Sequence, residues 1–323
     1  MTEQQLQNKL QRYYQIIKNQ QTDPITLYLQ GLVVSGRRAV KSQLKTAAAI
    51  LGFEGELEEM PWNIIEYHHL AKIRNTLQER HKAANTINLT LAGLKGVMKA
   101  CFNLGLIDAD QLMRLYNIKR VRGKRLPSGR SLSKQEIKKL YRACNQDKTA
   151  AGKRDHAIIA IMLATGIRRS EVIAIKTEDY NTRTGQLNIQ NGKGNKQRTT
   201  YLNTESRKIV KLWLSTKEKQ VKKAITENSE KIFNPITKIG NIQDRGLSSH
   251  SIYEIIQHRA EQAHIEFCRP HDLRRTFVTK LLESGVDINT ARQLVGHTDI
   301  KTTARYDLRD EKSQKKAMRK LIK

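Results

Sequence analysis

The apolar residues of this chain recur mostly at three- and four-residue spacing, and only 5 of its 323 residues are proline. This period is typical of amphipathic α-helices, and proline is the residue that most often interrupts them. One short region differs, because residues 186–190 and 197–202 alternate as strands do and Asn191-Gly192 gives a hairpin turn between them. The sequence therefore predicts a mainly α fold with a small β-sheet.

A basic segment divides the chain. Residues 119–130, KRVRGKRLPSGR, hold six basic residues and no acidic one, and two glycines and a proline interrupt any helix there. Ser133 and Glu136 then form a capping-box pattern ahead of an apolar-periodic segment. We predict an N-terminal extension at 1–20, a helical domain at 21–118, a linker at 119–132, a second domain at 133–306 and a basic tail at 307–323.

The helical domain is expected to contain a bundle of about four helices. Residues 25–51 show two helical patterns, and we expect the break between these two helices at Ser35-Gly36. Residues 62–80 and 84–104 show one pattern each, and Gly105 ends the second of these.

The charge of the chain indicates a polyanionic partner. There are 59 Lys and Arg against 31 Asp and Glu, a formal net charge of +28. Attraction to phosphates is the usual reason for such an excess, so nucleic acid is the first candidate and a membrane surface the second. No apolar run approaches the roughly 18 residues of a membrane helix, and the start of the chain lacks the apolar core of a signal peptide. We expect an intracellular protein.

The cysteines predict neither a disulfide framework nor a zinc site. Cys101, Cys144 and Cys268 are far apart and have no metal-ligand spacing. We expect reduced, partly buried thiols.

Five short clusters in the second domain contain polar residues that helix packing does not require. In ATGIRRSEV, Arg168 precedes Glu171 by three residues, and in NGKGNKQR two glycines flank Lys193. RPHDLRRTF places His271 and Arg274 on one face of a helix start. The other two are LVGHTDI, with His297, and TTARYD, with Tyr306. Taken singly, each has an ordinary structural explanation, such as a helix cap, a surface charge or a packing aromatic.

Together these side chains predict a phosphoryl-transfer site that uses no metal. Arg168 and Arg274 can clamp the non-bridging oxygens and stabilise the negative charge of a pentacoordinate phosphorus. Tyr306 can attack as a covalent nucleophile once its proton is removed.

The remaining three groups can move or hold protons. His271 is the expected base for the phenol, because imidazole titrates near neutrality. Lys193 can protonate the departing deoxyribose oxygen, and His297 can donate a hydrogen bond to the phosphate.

These clusters resemble the ordered motifs of the tyrosine recombinases, the phage integrase family, and their order and spacing are similar to Xer-like and integron, transposon or plasmid-type members. The family pattern is Arg, Lys, His-x-x-Arg, His or Trp, then Tyr. The sequence matches it at every position: Arg168, Lys193, His271, Arg274, His297 and Tyr306.

The resemblance implies a core-binding, SAM-like helical bundle at 21–118 and an α+β catalytic domain at 133–306. It implies cleavage through a 3′-phosphotyrosyl link on Tyr306, and rejoining when a 5′-hydroxyl attacks that link, without metal or cofactor. It also implies a homotetramer on double-stranded DNA with paired recognition sites, with or without a related recombinase or an accessory protein, in the cytoplasm at the nucleoid.

The linker is expected to follow the DNA backbone. Its basic side chains can replace condensed counterions on phosphates. The predicted contacts are Lys119, Arg120, Arg122, Lys124, Arg125 and Arg130.

Two other functions are compatible with the same residues. A type IB topoisomerase uses similar Arg, Lys, His and Tyr chemistry within one duplex, and a DNA-binding protein could keep the fold without catalysis. The GKGNKQR hairpin and the spacing from LVGHTDI to Tyr306 favour a recombinase, and the intact set of six residues argues against a silent protein.

Overall fold

The computed structural model of the chain describes residues 3–123, 129–190, 197–221 and 230–306, with only the backbone at Ser35 and Val221. The described residues are mostly helical and include one two-stranded sheet, which confirms the predicted class. The chain divides into two compact units, Met1–Pro127 and Ser128–Lys323. None of the described helices is long and apolar enough to cross a membrane.

The first unit contains more helices than the four that the sequence pattern predicts. Its described residues form six α-helices around one apolar core, which includes Leu44, Trp62, Leu70 and Leu94. The helices are α1 Glu3–Gln20, α2 Pro24–Gln30, α3 Val34–Ile50, α4 Tyr67–Glu79, α5 Ala84–Asn103 and α6 Ala109–Tyr116.

Helix α1 occupies the segment that we set apart as an N-terminal extension. Its Tyr13 ring is fully buried in the core of the first unit, and the Tyr13 hydroxyl donates a hydrogen bond to the Met60 carbonyl at 2.8 Å. Residues 3–20 therefore pack as part of this unit rather than outside it. The functional division of the chain at the other boundaries stays a prediction.

The predicted break at Ser35-Gly36 was wrong. Helix α2 ends at Gln30 with Gly31 as its C-cap, and α3 begins at Val34 and continues through Gly36. The guanidinium of Arg37 donates to the carbonyls of Gln30 and Leu32, at 3.2 and 2.9 Å, and so stabilises the turn three residues earlier than expected. A single glycine inside a helix costs only about 1 kcal/mol, which packing readily offsets.

The second unit is built around α8. This helix is buried over most of its length and packs against α7, α10 and α12. The helices are α7 Lys134–Gln146, α8 Ala150–Thr165, α9 Arg169–Val172, α10 Thr204–Val221, α11 Ser249–Gln262, α12 Pro270–Glu283, α13 Ile288–Val295 and α14 Ile300–Ala304. The strands β1 Gln186–Ile189 and β2 Arg198–Tyr201 pair antiparallel, with Gln186 opposite Tyr201.

Local sequence signals set several ends of these elements. Helix α7 begins with the predicted capping box, in which Ser133 Oγ accepts from the Glu136 amide and the Glu136 carboxylate accepts from the Ser133 amide. Helix α8 ends at Gly166, whose φ of 61° lies in the left-handed region that favours glycine. The capping-box prediction is confirmed.

The three cysteines are free and fully buried, so the expectation of partial burial was too weak. Burial raises the pKa of Cys144 to about 12. These thiols are packing residues rather than nucleophiles.

Candidate active site

Arg168 lies at the N-terminus of α9, immediately after the turn that ends α8. Its amide donates to Glu171 Oε2 and its Nη1 donates to Glu171 Oε1, both at 2.8 Å. Its Nη2 donates to the Gly296 carbonyl at 3.0 Å. Glu171 and Gly296 thus fix the guanidinium of Arg168, and because the side chain is 26% exposed it is still accessible to a ligand.

Arg274 lies in the first turns of α12 and is almost completely buried, with 2% of its surface exposed. It donates to the carbonyls of Gly166 at 2.5 Å and Val295 at 2.8 Å. Burial, and then the charge of Arg168, lower the pKa of Arg274 to about 9, so the guanidinium remains protonated at neutral pH. The chain thus fixes a buried positive charge beside Arg168.

The two arginines line one open cleft of about 440 Å³. His271, which lies one residue after the start of α12, lines the same cleft, as do Tyr253 and Arg269. The cleft offers a cationic wall with apolar neighbours, which suits a phosphate that carries a sugar on each side.

Tyr306 forms a direct pair with His271. Its hydroxyl lies 2.9 Å from His271 Nε2, although 35 residues separate the two in the chain. The Tyr306 ring is only 6% exposed and packs with Val278, Leu282 and Val295. The packed ring leaves the hydroxyl in one place, against the imidazole.

The electrostatics of His271 suit it to accept a proton. Burial, and then the charges of Arg274 and Arg275, lower the pKa of His271 below its ordinary value. The imidazole is therefore neutral at pH 7, and a neutral nitrogen 2.9 Å from the phenol can accept its proton.

His297 is a buried, neutral hydrogen-bonding group. It follows Gly296, which ends α13 with a φ of 67°, and its Nδ1 lies 2.9 Å from Thr303 Oγ1. Its ring stacks on that of Tyr306, with 5.9 Å between centroids. Burial, and then Arg274 and Arg168, lower the pKa of His297 to about 3, so His297 carries no charge at neutral pH.

The structure brings together five of the six residues that the sequence singled out: Arg168, His271, Arg274, His297 and Tyr306. Lys193 lies outside the described residues, as do Lys124, Arg125 and the tail at 307–323. Their predicted roles stay predictions.

The predicted DNA contacts differ in their surroundings. Lys119, Arg120 and Arg122 are exposed in the first unit. Arg130, in the second unit, instead pairs with the carboxylates of Glu136 at 2.5 Å and Glu266 at 3.5 Å. Its positive charge is therefore already balanced by the protein.

Sequence reasoning missed two arginines of the site. Arg198, the last residue of the NGKGNKQR cluster, donates to both carboxylate oxygens of Glu171, at 3.0 and 2.6 Å. Arg275 lies with its guanidinium carbon 5.0 Å from the centroid of the Tyr306 ring. Arg198 lies in the same motif as Lys193, and Arg275 lies in the same motif as His271 and Arg274. Membership in these motifs is the one sequence feature that indicates a place in the site for either arginine.

Glu171 accepts hydrogen bonds from the guanidinium groups of both Arg168 and Arg198. Burial alone would raise the pKa of this carboxyl, but hydrogen bonds and charge from Arg198, followed by Arg168, outweigh burial and lower it. The site therefore contains a buried carboxylate that holds arginines rather than a ligand.

Comparison with known proteins gives three kinds of match. The model of the phage integrase family matches residues 130–312. Tyrosine recombinase XerA of Pyrococcus furiosus is 30% identical over 249 residues, which cover 77% of each chain. Tyrosine recombinase XerC of Alcanivorax borkumensis is 28% identical over 251 residues and also covers 77% of each chain.

Two solved structures share the fold. The XerH site-specific recombinase bound to difH substrate, in a pre-cleavage complex, matches with a TM-score of 0.64 at 20% identity, over 88% of this chain and 79% of that one. The Tn1549 transposon integrase (residues 82–397) in complex with circular intermediate DNA matches with a TM-score of 0.64 at 15% identity, over 92% and 99%.

Proposed function

Because the chain belongs to the phage integrase family, the tyrosine recombinases, we propose that it cleaves and rejoins DNA strands with Tyr306 as the nucleophile. The family relationship makes the protein a site-specific DNA recombinase. The residue roles are our proposal, and the observation that carries it is the 2.9 Å contact between the Tyr306 hydroxyl and His271 Nε2 beside the two-arginine cleft.

In the cleavage step, the Tyr306 oxygen attacks the scissile phosphorus while its proton moves to His271 Nε2. The bond from phosphorus to the deoxyribose 5′-oxygen breaks, and Lys193 supplies the proton that makes this oxygen a 5′-hydroxyl. The DNA 3′-phosphate is then esterified to Tyr306. One phosphoester bond replaces another, so a 5′-hydroxyl can reverse the exchange without an energy source.

The arginines stabilise the transition state. Arg274 and Arg168 are positioned before substrate arrives, because the backbone carbonyls and Glu171 already hold them. Preorganised cations in a partly buried cleft stabilise developing negative charge without reorganisation at the moment of reaction. Neutral His297 contributes a hydrogen bond rather than a charge.

The substrate we propose is double-stranded DNA with paired recognition sites, bound by four copies of the chain. XerH was solved on its difH substrate, and a lambda integrase tetramer was solved on a Holliday junction, which supports this assembly for the present chain. We infer that the protein works in the cytoplasm on nucleoid DNA.

A nicked suicide substrate tests the assignment of the nucleophile. Tyr306→Phe should abolish the covalent protein–DNA product while leaving DNA binding within about a factor of two, because it removes only the attacking oxygen. Tyr180→Phe is the matched control, since Tyr180 is also 6% exposed and its hydroxyl has no hydrogen-bond partner among the described residues. A covalent product formed by Tyr306→Phe would assign the nucleophile to another residue.

A further inference from the structure

Four consecutive carbonyls at the C-terminal end of α13 each accept a hydrogen bond from an arginine. The acceptors are Leu294, Val295, Gly296 and His297, and their donors are Arg198, Arg274, Arg168 and Arg292, at 3.3, 2.8, 3.0 and 3.3 Å respectively. The last carbonyls of a helix lack partners within it and form its negative end, so cations are favoured there. This helix end is therefore a frame on which the guanidinium groups are aligned.

Two of these arginines, Arg168 and Arg274, form the proposed phosphate clamp. Arg198 contacts the same frame, but its side chain is only 9% exposed and it does not line the cleft. Its position points to an effect exerted through its neighbours rather than through the DNA.

Arg198 is connected to Arg168 by a shared carboxylate. Both oxygens of Glu171 accept from Arg198, and the same two oxygens accept from Nη1 and the amide of Arg168. A two-point contact between a planar guanidinium and a carboxylate fixes the carboxylate plane, which a single contact does not. Arg198 therefore adds a second two-point contact that restrains Glu171 and, through this carboxylate, the orientation of Arg168.

The backbone at Gly296 is adapted to this arrangement. A Cβ atom built at Gly296 would lie 3.0 Å from Arg198 Nη1, and the φ of 67° is one that other residues rarely adopt. Glycine thus allows the guanidinium of Arg198 to lie against the turn that carries His297.

We propose that Arg198 is a positioning residue for strand cleavage, which orients Arg168 toward the scissile phosphate through Glu171 and the end of α13. This inference rests on the proposed role of Arg168 in binding the phosphate. Without Arg198, the carboxylate of Glu171 keeps its charge, and Arg168 is the one guanidinium among the described residues that remains bonded to it, so Arg168 is drawn away from the cleft.

The test compares two substrates in single-turnover cleavage by Arg198→Gln. One has a normal scissile phosphate, and the other has a methylphosphonate there, which lacks the negative charge that Arg168 would neutralise. We expect about a 10- to 100-fold loss on the phosphodiester, the scale of a small misplacement of a catalytic group. On the methylphosphonate we expect less than about a threefold loss, because the charge interaction is no longer needed.

Arg154→Gln is the matched control. The Arg154 side chain is 10% exposed, pairs with Asp155 at 2.7 Å and donates to a backbone carbonyl of the same unit, but it is not part of the cleft. The thermal unfolding temperature should fall by a similar amount in both variants. Only Arg198→Gln should change the ratio of the cleavage rate on the phosphodiester to that on the methylphosphonate. If Arg198→Gln fails to fold, Arg198→Lys is used, because it keeps the charge without the planar fork.

Equal losses on both substrates, or no loss on the phosphodiester, would overturn the positioning role. Arg168→Lys separates this failure from that of the proposed function. If Arg168→Lys shows the substrate-selective loss and the Arg198 variants do not, only the inference about Arg198 fails. If Arg168→Lys also loses cleavage rate equally on both substrates, the proposed role of Arg168 in binding the phosphate is wrong, and the inference about Arg198 falls with it.

Discussion

The arginines of the cleft and the basic residues at the end of the first unit all carry a positive charge, but Arg274 is buried and the residues of the first unit are exposed. Arg274 is 2% exposed and bonds two carbonyls, whereas Lys119, Arg120 and Arg122 are exposed. A buried, bonded cation is fixed and pays a desolvation cost, while an exposed cation is mobile and screened by salt. The net charge of +28 therefore includes at least two kinds of cation, which should respond differently to mutation.

The largest effect is expected at the buried end of this comparison. Arg274→Lys keeps a charge but loses the fork that bonds two carbonyls, so cleavage of a suicide substrate should fall by about 10²- to 10³-fold, with DNA affinity nearly unchanged. Arg154→Lys is the control for loss of a buried arginine. Normal cutting by Arg274→Lys would remove Arg274 from the clamp.

Lys193 tests whether a cation from the hairpin region acts on the leaving group. Lys193→Ala should slow cleavage by about 10²-fold, the lower range for general acid catalysis. A 5′-bridging phosphorothiolate, whose sulfur leaves without a proton, should restore the rate. Lys196→Ala changes the charge of the same segment and should have little effect. If the sulfur substrate brings no recovery, Lys193 is not the acid.

The pH dependence of cleavage tests whether burial and the nearby arginines lower the pKa of His271. Because the pKa of His271 is lowered, the neutral imidazole that we propose as the base predominates at pH 7, and the rate should decline only below the ordinary histidine pKa of about 6.5. The decline should be about tenfold per pH unit and should be absent in His271→Gln, whose overall rate is lower.

A control for this profile is His250→Gln, an exposed histidine on α11. It should leave the profile unchanged. A decline centred above pH 6.5 would mean that the surroundings of His271 do not favour its neutral form.

The smallest effect is expected for the exposed cations. Arg120→Ala should reduce the slope of log affinity against log salt by about 0.9, the value for one lost phosphate contact, and should leave the cleavage rate at saturating protein unchanged. Arg130→Ala should change the slope less, because Arg130 pairs with Glu136 and Glu266. Equal slopes for the two variants would show that ion pairing within the protein does not decide which cations contact DNA.

Sequence patterns predicted those features that depend on neighbouring residues. The capping box at Ser133 and the placement of His271 and Arg274 at one helix start both follow from spacings of a few residues. Helix α1 was missed as part of the first unit because its sequence is mostly polar, and its Tyr13 is buried by contacts with residues such as Met60, 47 positions away.

By itself, the sequence determined the helical class, the small sheet and the ordered set of residue types that identifies the family, because periodicity and motif order are properties of the chain itself. Only the tertiary structure decided that His271 meets Tyr306, that Arg198 shares Glu171 with Arg168, and that the end of α13 accepts hydrogen bonds from four arginines. These contacts join residues up to 128 positions apart, as from Arg168 to Gly296. Packing brings such residues together, and the resulting burial lowers the pKa of His297 to about 3.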